Sequence, residues 1–568
     1  MGDLLLHPVL PFALAALIAW VAPRRAGAAA TVGAPLAAMV QLTLLDGDAT
    51  LRFTYAGFDL EALRVDALSL PFGWVFALAA LIAAIYGLAT MDGRERTSTL
   101  TYAGAAMGVV FAGDLMTLFV FWEIKAVSST FVILNRRDGT SARAGMRYLY
   151  VHLVGGKLLL AGVLWHHART GSLAFDAMTL DPATSLILIA FLLSAAVPPL
   201  HAWLADAYPT ASAAGTVFLS AFTTKAAVYT LARGFPGTGL LVGLGVAMVF
   251  YGLLYAMLEN DIRRLLAYHI ISQVGFMVTA IGIGTDLAIS GATAHAFAHV
   301  LYKGLLLMGM GAVLHATGRS RASDLGGIAR RMRGVLVLYM VGAVSISSVP
   351  LFSGFVSKEI VVEAAYASEL GWLVLLLKIA SVGTFLSTGL KLPYATFFGT
   401  EGAGPAHGAD HRIMVRRVPT SMYVAMGLGA AANLAIGLRP TILYDLLPHA
   451  VDFVPYTTAK VLEKSQLLLL TVMAFWLLID QVRAKAKVSV DLDWLYRSLP
   501  DRLRARSTAD GTASTSTATA TATLSPARTS RERVATLFEP ASAAVVPTWS
   551  LGLVILVTSV VIMIVSLR

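Results

Sequence analysis

The chain has 568 residues, of which 57% are hydrophobic and 13% charged, with a mean hydropathy of +0.73; a soluble protein of this length carries about 25% charged residues, so a soluble fold is excluded. It has no cysteine, which excludes iron–sulfur clusters, c-type haem, thiolate metal sites and disulfides within this chain, and implies no resident cofactor. The net charge of +10 does not point to nucleic acid, because the positive residues follow the pattern of apolar runs.

Those runs recur along almost the whole chain and are each long enough to cross a bilayer core. They predict helices near 4–22, 27–45, 68–90, 98–112, 114–134, 144–168, 184–205, 210–233, 238–258, 264–283, 287–315, 334–360, 371–398, 420–437, 463–482 and 548–567. The first run, from Leu4 to Val21, lacks a basic leader and reads as a retained helix, not a signal peptide. Loops that follow odd-numbered spans hold 28 of the 43 Lys and Arg residues, and loops that follow even-numbered spans hold seven. By the positive-inside rule both termini lie outside. The expected organisation is 1–97, two five-helix units at 98–233 and 238–398, further helices at 399–482, a low-complexity cytoplasmic linker at 483–547 and a last span at 548–568. No strand pattern is evident, and no phosphate-binding loop follows one.

The basic residues divide by type. Arginine marks the loops, whereas Lys125, Lys157, Lys225, Lys303, Lys358, Lys378 and Lys391 fall within predicted spans. A desolvated lysine can release its proton and an arginine does not, as a proton path would need. Each mid-membrane charge costs roughly 2.5–3.5 kcal/mol, so eight of them, counting Glu123, must face the bundle interior. Helix–helix ion pairs and snorkelling lysines are the structural alternative. In AHAFAHVLYKGLLL, however, His295, His299 and Lys303 recur every fourth residue and share one helix face. Lys225 lies mid-helix. Lys125 carries less weight, because it can simply point from the end of its helix, and Lys378 and His152 read as structural.

Two spans are interrupted by proline. FLLSAAVPPLHAWLA carries Pro198 and Pro199, and SISSVPLFSGFVSKEI carries Pro350 and Gly354 ahead of Lys358. Unwound backbone at membrane depth is tolerated only inside protein or along a cavity. Breaks at matching places of two halves point to inverted repeats around an ion path.

GDLMTLFVFWEIKAVSS, VPPLHAWLADAYPTASAAGTVFLSAFTTKAAVY, ENDIRRLLAYHIISQVGF, AHAFAHVLYKGLLLMGMGAVLH and SVPLFSGFVSKEI resemble the antiporter-like subunits of respiratory complex I and of Mrp-type cation/proton antiporters, over about residues 65 to 400. GTFLSTGLKLPYATFFG and VDFVPYTTAKVLEKSQLLLL look most like the D-type branch of the Na⁺/H⁺ antiporter subunits. The resemblance implies an all-α polytopic protein of about fourteen core helices with two inverted five-helix repeats containing broken helices. It also implies roles for single residues. Glu123 matches a glutamate that modulates a partner lysine, and Lys225 a lysine linking two half-channels. His295, His299 and Lys303 match a central connecting axis, and Lys358 a proton exit. Lys391 is placed on the same path.

One departure stands out. The family carries a lysine nine residues before the Trp of its HxWL motif, and here that position is Ser194. Lys157, in HLVGGKLLL, is the expected substitute partner of Glu123; the alternative is that this half-channel is degenerate. The leading function is therefore the proton-conducting subunit of a hetero-oligomeric Mrp-type Na⁺/H⁺ antiporter of the bacterial cytoplasmic membrane, a transporter and not an enzyme. Two alternatives are the proton-pumping arm of a complex I-like or hydrogenase-type redox assembly, and a coupling subunit that no longer conducts.

Overall fold

Helix boundaries follow local chemistry. Asp92, Asp114, Asp138, Asp181 and Asp261 each accept backbone N–H bonds at a helix start, and Gly171, Gly284 and Gly318 end helices in the left-handed region. The computed structural model describes residues 6–45, 47–399, 413–477, 479 and 491; the expected linker, apart from Asp491, and the expected last span lie outside the described residues. In chain order the helices are α1 Leu10–Val21, α2 Arg24–Leu44, α3 Ser69–Gly87, α4 Gly93–Phe111, α5 Leu115–Leu134 and α6 Gly139–Thr170. They continue as α7 Pro182–Ser194, α8 Ala202–Ala207, α9 Ala213–Gly234, α10 Leu240–Leu258, α11 Ile262–Ile283 and α12 Asp286–Thr317. The last are α13 Arg333–Ile346, α14 Ser353–Ala367, α15 Gly371–Thr384, α16 Thr420–Leu438, α17 Thr441–Tyr444 and α18 Thr458–Leu477. α15 runs on through wider turns to Phe398.

Among the described residues nine helices are long and apolar enough to cross a membrane. α4 and α9 are long enough but fall outside that set because they are less apolar, α4 carrying Arg94, Glu95 and Arg96 and α9 carrying Lys225 and Arg233. The two proline-interrupted spans each resolve into two pieces, α7 with α8 and α13 with α14.

Much of the two halves repeats at a fixed offset. α10 begins and ends 147 residues after α4, and α12 stands in the same relation to α6. Asp114 bridges to Ala174 and Asp261 to Arg321, again 147 residues on. The breaks match in detail. Ala196 and Ser348 both have φ of 61°, and Val197 N donates to Leu192 O as Val349 N donates to Val344 O, each at 3.1 Å. Each unit crosses the membrane an odd number of times, so the second is inverted relative to the first.

One element departs from expectation. Thr50–Tyr55 (β1) pairs antiparallel with Phe58–Arg64 (β2) around Ala56 and Gly57, both at positive φ, where no strand was expected. β2 is fastened to α5: Glu61 N donates to the Asp114 carboxylate (2.8 Å), and Gly113 N to Glu61 O (2.9 Å). A second correction concerns Lys460 and Lys464, two of the seven basic residues assigned to loops after even-numbered spans, which lie in the first two turns of α18.

α10 and α11 pack backbone to backbone. A Cβ at Gly252 would lie 2.5 Å from Tyr268 O, and one at Gly275 2.6 Å from Gly245 O. Close approach of this kind is how membrane helices gain contact without a hydrophobic driving force. Gly252→Leu is expected to force α10 off α11 at a cost of about 1–3 kcal/mol. The check is a lowered thermal unfolding midpoint of the detergent-solubilised protein.

Candidate functional site

The second half encloses a line of titratable groups. α12 is buried along most of its length and packs against α9, α11, α13 and α14. It presents His295, His299 and Lys303, all 0% exposed. His295 Nδ1 lies 3.2 Å from Ser357 Oγ and its Nε2 lies 3.4 Å from Tyr302 OH. Tyr302 donates in turn to Gln273 Oε1 (3.4 Å), and Gln273 Nε2 to Thr384 Oγ1 (3.4 Å). Both ring nitrogens of His299, and Lys303 Nζ, have no hydrogen-bond partner among the described residues.

Lysines flank this stripe on both sides. On α9, Lys225 Nζ donates to Ser220 O (2.8 Å) and Thr224 Oγ1 (3.2 Å). On α14, Lys358 Nζ donates to Ile346 O at 2.6 Å, a carbonyl freed where α13 ends. The break therefore supplies a ligand to the ammonium. Gly354 permits the approach, since a Cβ there would stand 1.8 Å from Ser345 O. Pro350, with no N–H to continue α13, sits in the break itself. Lys391 Nζ donates to Met257 O. Lys225 and Lys358 act electrostatically on His295; Lys225, Lys303 and Lys358 act on His299. Six of the expected path residues thus share one buried set.

The sequence reading missed several members. His269, fully buried, places Nε2 2.8 Å from Ser387 Oγ and feels the charges of Lys303, Lys358 and Lys391. Its only signal was a single histidine in AYHIISQVGF. Asn433 of α16 accepts from Ser353 Oγ (2.6 Å) and Ser345 Oγ (3.2 Å), pinning both sides of the break. Three ion pairs tie α18 to the neighbouring helices: Lys464 to Glu359 (3.2 Å), Lys460 to Glu363 (2.8 Å), and Lys378, on α15, to Glu463.

Glu123 and Lys157 belong to a second group, in the first half. Glu123 Oε1 occupies the place a Cβ would take at Gly156, 1.7 Å away, and has no hydrogen-bond partner among the described residues. Lys157, the next residue of α6, is the cation that acts on it. Ser194 is the buried last residue of α7, followed by Pro198 and Pro199 in the break. Lys125 is 0% exposed, against expectation for a residue pointing from a helix end, and its Nζ stands 3.4 Å above the Trp122 ring. Among the described residues no cluster of three His, Asp or Glu side chains is disposed to hold a metal ion.

Residues 112–386 match the family described as NADH:quinone oxidoreductase/Mrp antiporter, TM. Hydrogenase-4 component B of Escherichia coli is 28% identical over 438 residues, covering 68% of this chain and 64% of that protein. The D-type subunit of the Na(+)/H(+) antiporter of Alkalihalophilus pseudofirmus is 30% identical over 283 residues, covering 46% and 57%. The N-type subunit of the NADH-quinone oxidoreductase of Desulforudis audaxviator is 31% identical over 310 residues, covering 50% and 62%. The chain thus spans a little under two thirds of the length of these relatives. Among solved structures, a chain of the Mrp complex from Dietzia sp. DQ12-45-1b superposes with a TM-score of 0.70 at 24% identity, over 78% of this chain and 95% of that one. A chain of the archaeal membrane-bound sulfane sulfur reductase does so with 0.70 at 23%, over 98% and 99%. The broken-helix fold and the matched segment agree: this is a multi-pass membrane protein whose residues 112–386 match the antiporter-like transmembrane family shared by NADH:quinone oxidoreductases and Mrp antiporters.

Proposed function

We propose that this chain is the proton-conducting subunit of a multi-subunit Mrp-type Na⁺/H⁺ antiporter in the bacterial cytoplasmic membrane, with both termini outside. The observation that carries the reading is the fully buried set of Lys225, His299, Lys303 and Lys358, the last of them on a broken helix. The segments 98–233 and 238–398 act as its two half-channels. Lys225 receives a proton from the first half and passes it to the α12 stripe. His299, with both ring nitrogens unengaged, relays it toward Lys303. Lys358 holds it against the Ile346 carbonyl until the break opens to water. Lys391 and His269 extend the set toward α10. Glu123 and Lys157 form the charge pair of the first half, in which Glu123 sets the charge state of its partner.

A second reading is the proton-translocating arm of a redox assembly. It draws on the match to hydrogenase-4 component B and on the end-to-end superposition with the sulfane sulfur reductase chain. Mass spectrometry of what co-purifies from native membranes in mild detergent separates the two. Small hydrophobic subunits with a larger sister antiporter chain, and no flavin or iron–sulfur protein, support the antiporter. Iron–sulfur, flavin or nickel proteins support the redox arm.

Lys225→Ala and Lys358→Ala are each expected to lower proton flux into inverted vesicles, read with a pH-sensitive dye, by about 100-fold, with the assembly intact on native gels. Lys157→Ala is expected to be as severe as Lys225→Ala. Wild-type flux in the Lys157 variant would remove it from the path.

A further inference from the structure

Lys125 is a buried ammonium that none of the preceding steps uses. It lies on α5 two residues beyond Glu123, is fully buried, and its Nζ has no hydrogen-bond partner among the described residues. The Trp122 face beneath it offsets only part of the cost of desolvating a cation. Lys225 and Lys358 each find an oxygen ligand that offsets their burial, and Lys125 does not.

Its surroundings show what it faces. Lys125 O accepts from Ser129 Oγ (2.7 Å), the hydroxyl that meets Tyr148 OH, so α5 adjoins α6 at this level, one turn from His152, which is 1% exposed. His152 Nδ1 donates to Tyr148 O (3.0 Å), so in the neutral ring Nε2 is the basic nitrogen, and Nε2 has no hydrogen-bond partner among the described residues. The His152 ring stacks on Tyr148 at 4.0 Å. Tyr148 OH is within 2.9 Å of Ser129 Oγ and 3.3 Å of Thr223 Oγ1. Thr223 precedes Thr224, whose hydroxyl binds Lys225 Nζ. The repeat adds an independent argument. With the offset of 147 residues between α6 and α12, His152 stands where His299 stands in the second half, Tyr148 where His295 stands, and Gly156 where Lys303 stands. The first half keeps the relay histidine and has no lysine at the next position of that stripe.

We propose that Lys125 supplies that lysine from the neighbouring helix, as the proton-carrying station between the Glu123–Lys157 pair and Lys225. The last turn of α7 adjoins the same wall through Trp122 against Phe191 and Trp203 Nε1 on Leu193 O, while Lys157 keeps the place of the lysine missing at Ser194. In the transfer an N–H bond at Lys125 Nζ breaks and one forms at His152 Nε2 through a bridging water, which takes one proton and gives up another because the two nitrogens are not in hydrogen-bond contact; a proton moves and no electron does. The inference rests on the conducting role proposed above.

The test measures dye-reported proton flux in inverted vesicles carrying the whole assembly, for Lys125→Met, Lys125→Arg and Lys225→Ala. Lys125→Arg keeps the charge and the stem but cannot release its proton. The expected result is a loss of about 100-fold in both Lys125 variants, with the assembly intact on native gels. If the Met variant fails to assemble, the Arg variant decides. More than half of wild-type flux in Lys125→Arg, with Lys225→Ala inactive, overturns the proposal and makes Lys125 a structural cation. Wild-type flux in Lys225→Ala overturns the conducting role itself, and this inference with it.

Discussion

Inside hydrocarbon a polar group has only the protein to turn to, and the architecture follows from that restriction. Each unsatisfied backbone group or charge costs several kcal/mol there, so helices, which satisfy their own backbone, build the body of the chain. Where α7 and α13 stop short, the freed groups are taken up at once. Leu193 O receives the Trp203 indole, and Ile346 O receives Lys358. The broken segments are the places where backbone polarity is available for work.

The internal repeat shows how one scaffold was given two characters. α4 and α10 are equal in length, as are α6 and α12, Asp114 and Asp261 cap α5 and α11, and the two breaks share their geometry, while the side chains along the equivalent stripes diverge. α12 carries His295, His299 and Lys303; α6 carries Tyr148, His152 and Gly156 at the matching positions. The space beside Gly156 is taken by the carboxylate of Glu123 from α5. A charge in the first half comes from across a helix interface, whereas in the second it comes from within the stripe.

Much of this was legible in the sequence, because apolar length, proline position and four-residue spacing are local properties. Span boundaries, both breaks and the α12 stripe all follow from them. The hairpin at 50–64 escaped notice because TLRFTYAGFDLEALR sits between spans as a short polar stretch, though its Ala-Gly turn was a signal. His269, Gln273 and Asn433 were invisible for a different reason. Their partners Ser387, Thr384 and Ser353 lie 118, 111 and 80 residues away, and no local pattern encodes such pairing. The full burial of Lys125 was not legible either, because it depends on how the other helices pack around α5.

The ion pairs along α18 bear on how the exit lysine can move. Glu359, next to Lys358 on α14, meets Lys464 with both side chains nearly enclosed, and Glu363 meets Lys460 one turn further on. Parting a buried pair costs about 3–5 kcal/mol, because a bare charge is left on each side. Sliding α14 alone would incur that cost, whereas sliding α14 and α18 as a unit would not. The two helices are thus geared together, and any displacement of Lys358 is shared with the helix that precedes the C-terminal part of the chain.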